Sequence, residues 1–275
     1  MDFLQAVILG IVEGLTEFLP VSSTGHLTIT EKILGLDIND PAVTAFTVVI
    51  QMGAILAVIL FFRRDIWNIA ATWVRGIGDS SVRGSLDYRM GWFVIVGTIP
   101  IVIAGLLGQD LVTGALRNLW WVAGALVAWS GVMVAAERVG RQDRHEADVT
   151  WLDTAVIGVV QVVSLIPGVS RSGATISAGL FTGLDRVAAT KMSFFLSIPA
   201  LLGAGFKELP NALGGDISLG VTLLATAVSF VVAYAAVAWL LKFVAHHPIT
   251  WFVGYRVALG VVLMALLATG TIAAT

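Results

Sequence analysis

Residues that could carry acid, base or nucleophilic chemistry are concentrated in one stretch near the start of the chain, EGLTEFLPVSSTGH at residues 13–26. Glu13 and Glu17 are four residues apart, so on a helix they share one face. Two ionised carboxylates about 4 Å apart repel each other by roughly 4 kcal/mol at an effective dielectric constant near 20. We therefore expect either that one carboxyl is protonated, as in a proton relay, or that a divalent cation, Mg²⁺ or Ca²⁺, bridges these carboxylates and a phosphate.

Ser23 and His26 are three residues apart and would occupy neighbouring positions on one helix. This spacing permits a hydroxyl nucleophile with an imidazole base, or an imidazole that protonates a leaving oxygen. The alternative without catalysis is a histidine that hydrogen-bonds to the backbone where the helix begins.

A second polar stretch, PGVSRSGATIS at residues 167–177, also interrupts an apolar segment. After each interruption, hydroxyl residues begin a predicted half-helix, whose free backbone N–H groups and dipole favour a phosphate or carboxylate. Arg171 would stand between the two helix ends, and arginine suits forked recognition of phosphate oxygens. In the purely structural alternative, the serines cap helices and Arg171 pairs with a glutamate. The residues expected to line the anion site are Ser22, Thr24, Gly25, Ser170, Arg171, Ser172, Gly173 and Thr175.

The rest of the chain has the composition of a protein that lies in lipid. Of 275 residues, 57% are hydrophobic and 12% charged, against about 25% charged in an average soluble domain. Apolar runs of about 20 residues predict an all-α polytopic membrane protein and not a β-barrel. The absence of cysteine from the sequence excludes disulfides and thiolate metal sites. The net charge of −2 gives no basis for a nucleic-acid partner, and we expect none.

The apolar runs divide into complete and interrupted segments within a single membrane domain, residues 1–275. Two interrupted segments, residues 3–36 and 152–185, are predicted to be re-entrant pairs of half-helices, because each half is too short to span comfortably. A polar loop is predicted at residues 63–89. The six predicted spans are residues 41–62, 90–108, 118–137, 187–206, 218–242 and 250–271.

An internal repeat relates the two interrupted segments. A shift of 148 residues, without a gap, places Glu13 on Gln161, Ser22 on Ser170 and Gly25 on Gly173. Repeat one covers about residues 1–137 and repeat two about 152–275, joined by a charged cytoplasmic connector, about 138–151. Since repeat one has three spans, an odd number, repeat two must enter from the opposite side. The sequence therefore predicts an inverted-topology repeat with both breaks near the membrane midplane.

The basic residues give an independent prediction of orientation. With the N-terminus outside, eleven arginines and lysines fall in predicted inner loops and only Lys32, Arg117 and Lys207 fall outside. This positive-inside bias predicts that both termini face out. Arg256 lies within an apolar span, where it would be either the partner of a carboxylate or an anchor that reaches the interface. The eleven inner residues are Arg63, Arg64, Arg75, Arg83, Arg89, Arg138, Arg141, Arg144, Arg186, Lys191 and Lys242.

Together, residues 13–26 and 167–177 resemble the two signature motifs of the bacterial undecaprenyl-pyrophosphate phosphatase family, the bacitracin-resistance type. The resemblance extends over essentially the whole chain. It implies a plasma-membrane hydrolase that converts undecaprenyl pyrophosphate to undecaprenyl phosphate and inorganic phosphate, recycling the lipid carrier of peptidoglycan and other cell-wall polymers. It further implies a metal-associated pair, Glu13 and Glu17, a catalytic Ser23 and His26, and a phosphate clamp at Arg171 supported by Ser170, Ser172 and Thr175.

The resulting hypothesis is an outward-facing site that takes a polyprenyl pyrophosphate while the tail stays in the bilayer through a gap between spans. The nucleophile could be Ser23, His26 or an activated water. The protein could form a homodimer. The rival interpretation is an inverted-repeat transporter or lipid-phosphate flippase that uses the same anion site, with the carboxylates as a proton relay.

Overall fold

The computed structural model describes residues 1–108, 114, 116 and 118–274, so Arg117, one of the three predicted outer basic residues, lies outside the described part. Eleven α-helices account for most of that part. They are α1 (Phe3–Thr16), α2 (Ser23–Ile33), α3 (Pro41–Phe61), α4 (Arg63–Gly78), α5 (Leu86–Leu107), α6 (Leu119–Val139), α7 (Trp151–Gln161), α8 (Arg171–Phe181), α9 (Arg186–Gly214), α10 (Leu219–Val244) and α11 (Trp251–Ala268).

Six of these helices, α3, α5, α6, α9, α10 and α11, are long and apolar enough to cross a membrane. Each coincides with one of the six predicted spans, and the prediction of a polytopic α-helical protein is confirmed. Helix α9 has 29 residues, so it begins and ends beyond the predicted range 187–206. At about 1.5 Å per residue it is longer than the apolar thickness of a bilayer requires.

The predicted polar loop at residues 63–89 is wrong, because its first part forms helix α4. Ile66, Ile69 and Trp73 recur at helical spacing and pack towards α5 and α9. The Trp73 indole stacks edge-on against Trp92, and a Cβ atom at Gly91 would come within 2.7 Å of it. The arginines suggested a loop, but the interleaved apolar residues give this helix a face that becomes half-buried.

The two segments predicted to be interrupted are each a pair of short helices, α1 with α2 and α7 with α8. Helix α1 packs closely on α10, since a Cβ at Gly10 would lie 2.6 Å from the Ala225 carbonyl oxygen. Helix α7 packs on α5 in the same way, with a Cβ at Gly158 lying 2.6 Å from the Gly97 carbonyl oxygen. Gly10 and Gly158 correspond under the 148-residue shift. Glycine thus allows each short helix to approach a long one and bury its backbone.

Candidate active site

The loop before α2 is held in an unusual conformation by Ser22. This residue has φ 77°, in the left-handed region that non-glycine residues rarely adopt. Its Oγ caps α2 by accepting from the Gly25 N–H, and it also accepts from the Gly168 N–H at 3.0 Å. One serine hydroxyl therefore joins the two breaks in the chain.

Ser170 is the counterpart of Ser22 before α8. It has the same φ of 77°, and its Oγ accepts from the Gly173 N–H at 3.1 Å. The neighbouring Ser172 hydroxyl donates to the Leu19 carbonyl oxygen at 2.9 Å, which is a second link between the breaks. The capping role considered for these serines is confirmed for Ser22 and Ser170.

Arg256 of α11 fixes both breaks from a third direction. Its side chain is fully buried and donates to the carbonyl oxygens of Pro20, Gly168 and Val169 and to the Ser130 hydroxyl, at 2.9–3.2 Å. Neither predicted role is found, because the partners are carbonyl and hydroxyl oxygens and the guanidinium does not reach the surface. The interrupted backbone leaves carbonyls without helical partners, and Arg256 satisfies them.

Glu17 is the centre of the polar group at the breaks. Its Oε1 accepts from Arg171 Nη2 at 2.6 Å, and its Oε2 accepts from Ser23 Oγ at 2.5 Å. Glu17 and Ser23 are both buried, so this ion pair and hydrogen bond have little contact with bulk water. Arg171 Nη1 is buried and has no hydrogen-bond partner within the described residues. The arginine therefore pairs with a glutamate and still has a donor to offer an anion.

Glu13 lies one helical turn before Glu17 and is fully buried. Neither carboxylate oxygen has a donor partner among the residues that the structure describes, but Glu17 is close enough to share a hydrogen bond with Glu13 when one of the two carboxyls is protonated. Its charged neighbours are Glu17 and Arg171. Such a group needs a proton or a cation, because an unpaired buried carboxylate is costly.

The structure does not bring His26 into hydrogen-bond contact with Ser23. His26 Nδ1 lies 2.7 Å from the Ser22 carbonyl oxygen, and Nε2 lies 2.6 Å from the Tyr255 hydroxyl. A carbonyl oxygen only accepts, so Nδ1 carries the hydrogen, and in the neutral ring Nε2 accepts from Tyr255. His26 thus has the backbone contact of the non-catalytic alternative, while Ser23 is bound to Glu17.

A cavity of about 230 Å³ lies against this group. Six predicted site residues line it: Glu17, Ser22, Ser23, Thr24, Ser170 and Arg171. The others lie behind its wall. The Thr175 hydroxyl donates to Ser193 Oγ of α9, Ser172 binds Leu19, and Gly25 and Gly173 donate to the capping serines. Glu13 and His26 are likewise set back from the cavity lining.

Sequence reasoning missed one wall of this cavity. It is formed by polar residues of α2 and α3, which are Thr28, Glu31, Thr44, Thr47 and Gln51. The available signal was polar side chains within the apolar run at residues 41–62, a glutamine above all, because such groups are costly in lipid unless they face a cavity. These residues belong to the candidate site.

The two carboxylates differ in what they could offer a divalent cation. Glu13 has two unused oxygens, whereas Glu17 already accepts from Ser23 and Arg171. No group of three or more His, Asp or Glu side chains within the described ranges could hold a metal ion. Mg²⁺ is commonly held by one or two carboxylates together with substrate phosphate and water. A cation at this point would be held by Glu13, next to the cavity wall at Glu17, and would take its other ligands from substrate phosphate and water.

Comparison with known proteins gives a consistent result over the whole chain. The model of the family described as bacitracin resistance protein BacA matches residues 6–262. Undecaprenyl-diphosphatase 3 of Frankia casuarinae is 58% identical over 279 residues, covering 100% of both chains. Undecaprenyl-diphosphatase of Acidothermus cellulolyticus is 54% identical over 273 residues, covering 99% of both. Undecaprenyl-diphosphatase 1 of Streptomyces coelicolor is 54% identical, covering 98% of this chain and 97% of the relative.

Proposed function

Because this chain belongs to the bacitracin resistance protein BacA family, we propose that it hydrolyses undecaprenyl pyrophosphate to undecaprenyl phosphate and inorganic phosphate. Its relatives carry the name undecaprenyl-diphosphatase. The observation that carries the proposal is the buried contact of Ser23 and Arg171 with the two oxygens of Glu17, at the wall of the cavity. This arrangement brings together a nucleophile, Ser23, a base, Glu17, and a positively charged group that can bind phosphate, Arg171.

In the proposed reaction, Ser23 Oγ bonds to the terminal phosphorus as its proton passes to Glu17. The bond from that phosphorus to the bridging oxygen breaks, and undecaprenyl phosphate leaves with the bonding electrons. Water then cleaves the phosphoserine, giving inorganic phosphate and the free hydroxyl. Arg171 Nη1 donates to the phosphate oxygens, and charge is stabilised where it develops. His26 as nucleophile or base receives less support, because both of its ring nitrogens have other partners.

The divalent cation, Mg²⁺ or Ca²⁺, is proposed to bind at Glu13 and Glu17. When bound, such an ion neutralises phosphate oxygens and orients the head group. The two unused oxygens of buried Glu13 support this assignment. The remaining residues of the proposed phosphate site are Ser22, Thr24, Gly25, Ser170, Ser172, Gly173 and Thr175. Three of them, Ser22, Thr24 and Ser170, line the cavity, which supports direct contact with phosphate. The others would act by shaping the two helix ends.

The proposed architecture is an inverted-topology repeat of two re-entrant segments, with an outward-facing site and both termini outside. Matched contacts support the repeat. In the first half the Gln5 side chain donates to the Leu34 carbonyl oxygen. The residues at the corresponding positions, Asp153 and the Thr182 carbonyl, are joined through the guanidinium of Arg144. The uneven distribution of basic residues between the two alternating sets of predicted loops, eleven against three, supports the orientation.

Phosphate release by the purified protein in detergent with Mg²⁺ tests the proposed function. Detergent removes any transmembrane gradient, so a transporter or flippase would release no phosphate from undecaprenyl pyrophosphate. Phosphate release that depends on the intact protein and disappears in the Ser23→Ala variant supports hydrolysis at this site. Release that Ser23→Ala leaves unchanged would overturn the site assignment.

A further inference from the structure

A second cavity, of about 330 Å³, lies between α5 and α9 and continues from the candidate active site. The two cavities share five lining residues: Val48, Ile101, Leu165, Arg171 and Leu201. Arg171 therefore stands at their junction. We call the second cavity the α5–α9 groove.

The α5–α9 groove differs from the active-site cavity in chemistry. Apart from Arg171 at the junction and Lys207 and Glu208 on α9, its lining is apolar and includes Val102 and Leu106 of α5. These two side chains are 43% and 60% exposed. Because both helices are long apolar spans, side chains exposed here face lipid, and the groove opens sideways into the bilayer.

Local sequence explains why α5 and α9 leave a gap. Each helix contains a proline immediately before its first groove residue, Pro100 before Ile101 and Pro199 before Ala200. Proline inside a helix removes one backbone hydrogen bond and commonly bends the helix. Gly105 and Gly203 have no side chains that could fill the groove. A Cβ at Gly203 would meet nothing within 4 Å, and one at Gly105 would only touch Leu165 at 4.0 Å.

We infer that the α5–α9 groove binds the first isoprene units of the polyprenyl chain while the pyrophosphate occupies the polar cavity. This inference rests on the proposed substrate. Its physical basis is that the substrate changes from an anionic pyrophosphate to hydrocarbon across one P–O–C linkage. The lining changes in the same way, from Glu17, Ser23 and Arg171 to apolar side chains, across the five shared residues. The opening of the groove lets the rest of the polyprenyl chain remain in lipid, so its apolar surface does not have to be exposed to water.

The absence of native cysteine permits a direct test of occupancy. The variants Gly203→Cys and Gly105→Cys each place one thiol in the groove. Gly131→Cys, at an exposed position of α6 with open space around its Cβ, is the matched control. Alkylation of each purified protein by a small apolar maleimide is timed with undecaprenyl phosphate, with inorganic pyrophosphate, or with neither.

Undecaprenyl phosphate at about ten times its Kd is expected to slow alkylation about tenfold in both groove variants. Pyrophosphate, which has no tail, is expected to leave the rate within about twofold, and Gly131→Cys is expected to change with neither ligand. Unchanged rates in the groove variants overturn the inference. So does equal protection by pyrophosphate, which would indicate closure around the head group, or equal protection of Gly131→Cys, which would indicate general lipid coating.

This readout needs no catalysis, so the two proposals fail separately. Protection without phosphate release would leave the groove as a prenyl-binding site and overturn the phosphatase. Phosphate release without protection would leave the phosphatase and overturn the groove.

Discussion

The Tyr255 hydroxyl lies 2.6 Å from Nε2 of His26, and the two rings stack with their centroids 5.5 Å apart. With Nδ1 held by the Ser22 carbonyl oxygen, this contact ties the first turn of α2 to α11. Tyr255 is next to Arg256, which binds the carbonyls of both breaks. Two adjacent residues of α11 therefore fix the parts of the chain that carry Ser23 and Arg171.

If His26 acts by fixing α2, Tyr255→Phe should behave as a mild structural change. The phenyl ring keeps the stacking and loses one hydrogen bond, which contributes about 1 kcal/mol. We expect a lower thermal midpoint in detergent and a kcat within about tenfold of the parent. A fall in kcat as large as that of Ser23→Ala would instead identify the Tyr255–His26 pair as part of the chemistry.

Glu17→Gln should nearly abolish hydrolysis, because the amide cannot take the proton of Ser23 and no longer pairs with Arg171 by charge. Loss of a general base commonly costs about 10²- to 10⁴-fold in rate. The measurement is phosphate release under saturating Mg²⁺. A companion experiment quenches the parent enzyme with denaturant at neutral pH during turnover, so that both phosphoserine and the acid-labile phosphohistidine survive, and looks for phosphate on Ser23 by mass spectrometry. Phosphate on His26, or near-normal activity of Glu17→Gln, would contradict the proposed reaction.

Arg256→Met should destabilise the protein strongly even though Arg256 does not line the active-site cavity. The change leaves the carbonyls of Pro20, Gly168 and Val169 buried without their donor, and hydrogen bonds to charged groups contribute about 1.5–3 kcal/mol each. We expect a loss of at least about 3 kcal/mol, measured by denaturation in detergent. Arg64→Ala, at an exposed arginine, is the control and should change stability by less than about 0.5 kcal/mol. Equal stability of the two variants would refute the role assigned to Arg256.

At Ser170, glycine should be tolerated better than alanine. Both substitutions remove the side-chain cap on the Gly173 N–H, which costs about 1 kcal/mol for alanine and only about a few tenths of a kcal/mol for glycine. Alanine must also keep φ near 77°, and this backbone strain costs about a further 1–2 kcal/mol of stability. Glycine adopts the same conformation freely. The thermal midpoints of the two variants give the comparison. A Ser170→Ala protein as stable as Ser170→Gly would show that the left-handed conformation is not retained.

The contact between His145 and Asp185 predicts a weak dependence of stability on pH. Nδ1 of His145 lies 2.5 Å from the Asp185 carboxylate, and this hydrogen bond and charge raise the pKa of His145 above its ordinary value. A raised folded-state pKa stabilises the folded protein below the unfolded pKa of about 6.5. The contribution is lost as pH rises through the folded pKa. As pH rises through this window, the thermal midpoint of the parent protein should fall, and it should fall less in His145→Gln. Because His145 is exposed, the difference between the two proteins should be small. Parallel pH profiles would contradict it.

The sequence by itself determined the features that depend on one helix at a time. Hydropathy located all six long helices and both interrupted segments, because crossing lipid requires a continuous apolar run, and the order of the residues is enough to reveal it. It also marked Glu13, Glu17, Ser23 and Arg171, since polar groups within such runs are costly. It missed α4, because the arginines of that segment indicated a loop although its apolar residues form a half-buried face. It also missed the polar wall of the cavity around Gln51.

Only the tertiary structure decided which side chains meet. Helical spacing made Ser23 a neighbour of His26, but Ser23 binds Glu17 across the break, and His26 binds Tyr255, 229 residues away. Glu17 likewise pairs with Arg171, 154 residues away. Spacing along one helix fixes which residues share a face. The partner that each side chain finds depends on how separate helices pack, and in this protein that packing is set by Arg256, the capping serines and the glycines at close helix contacts.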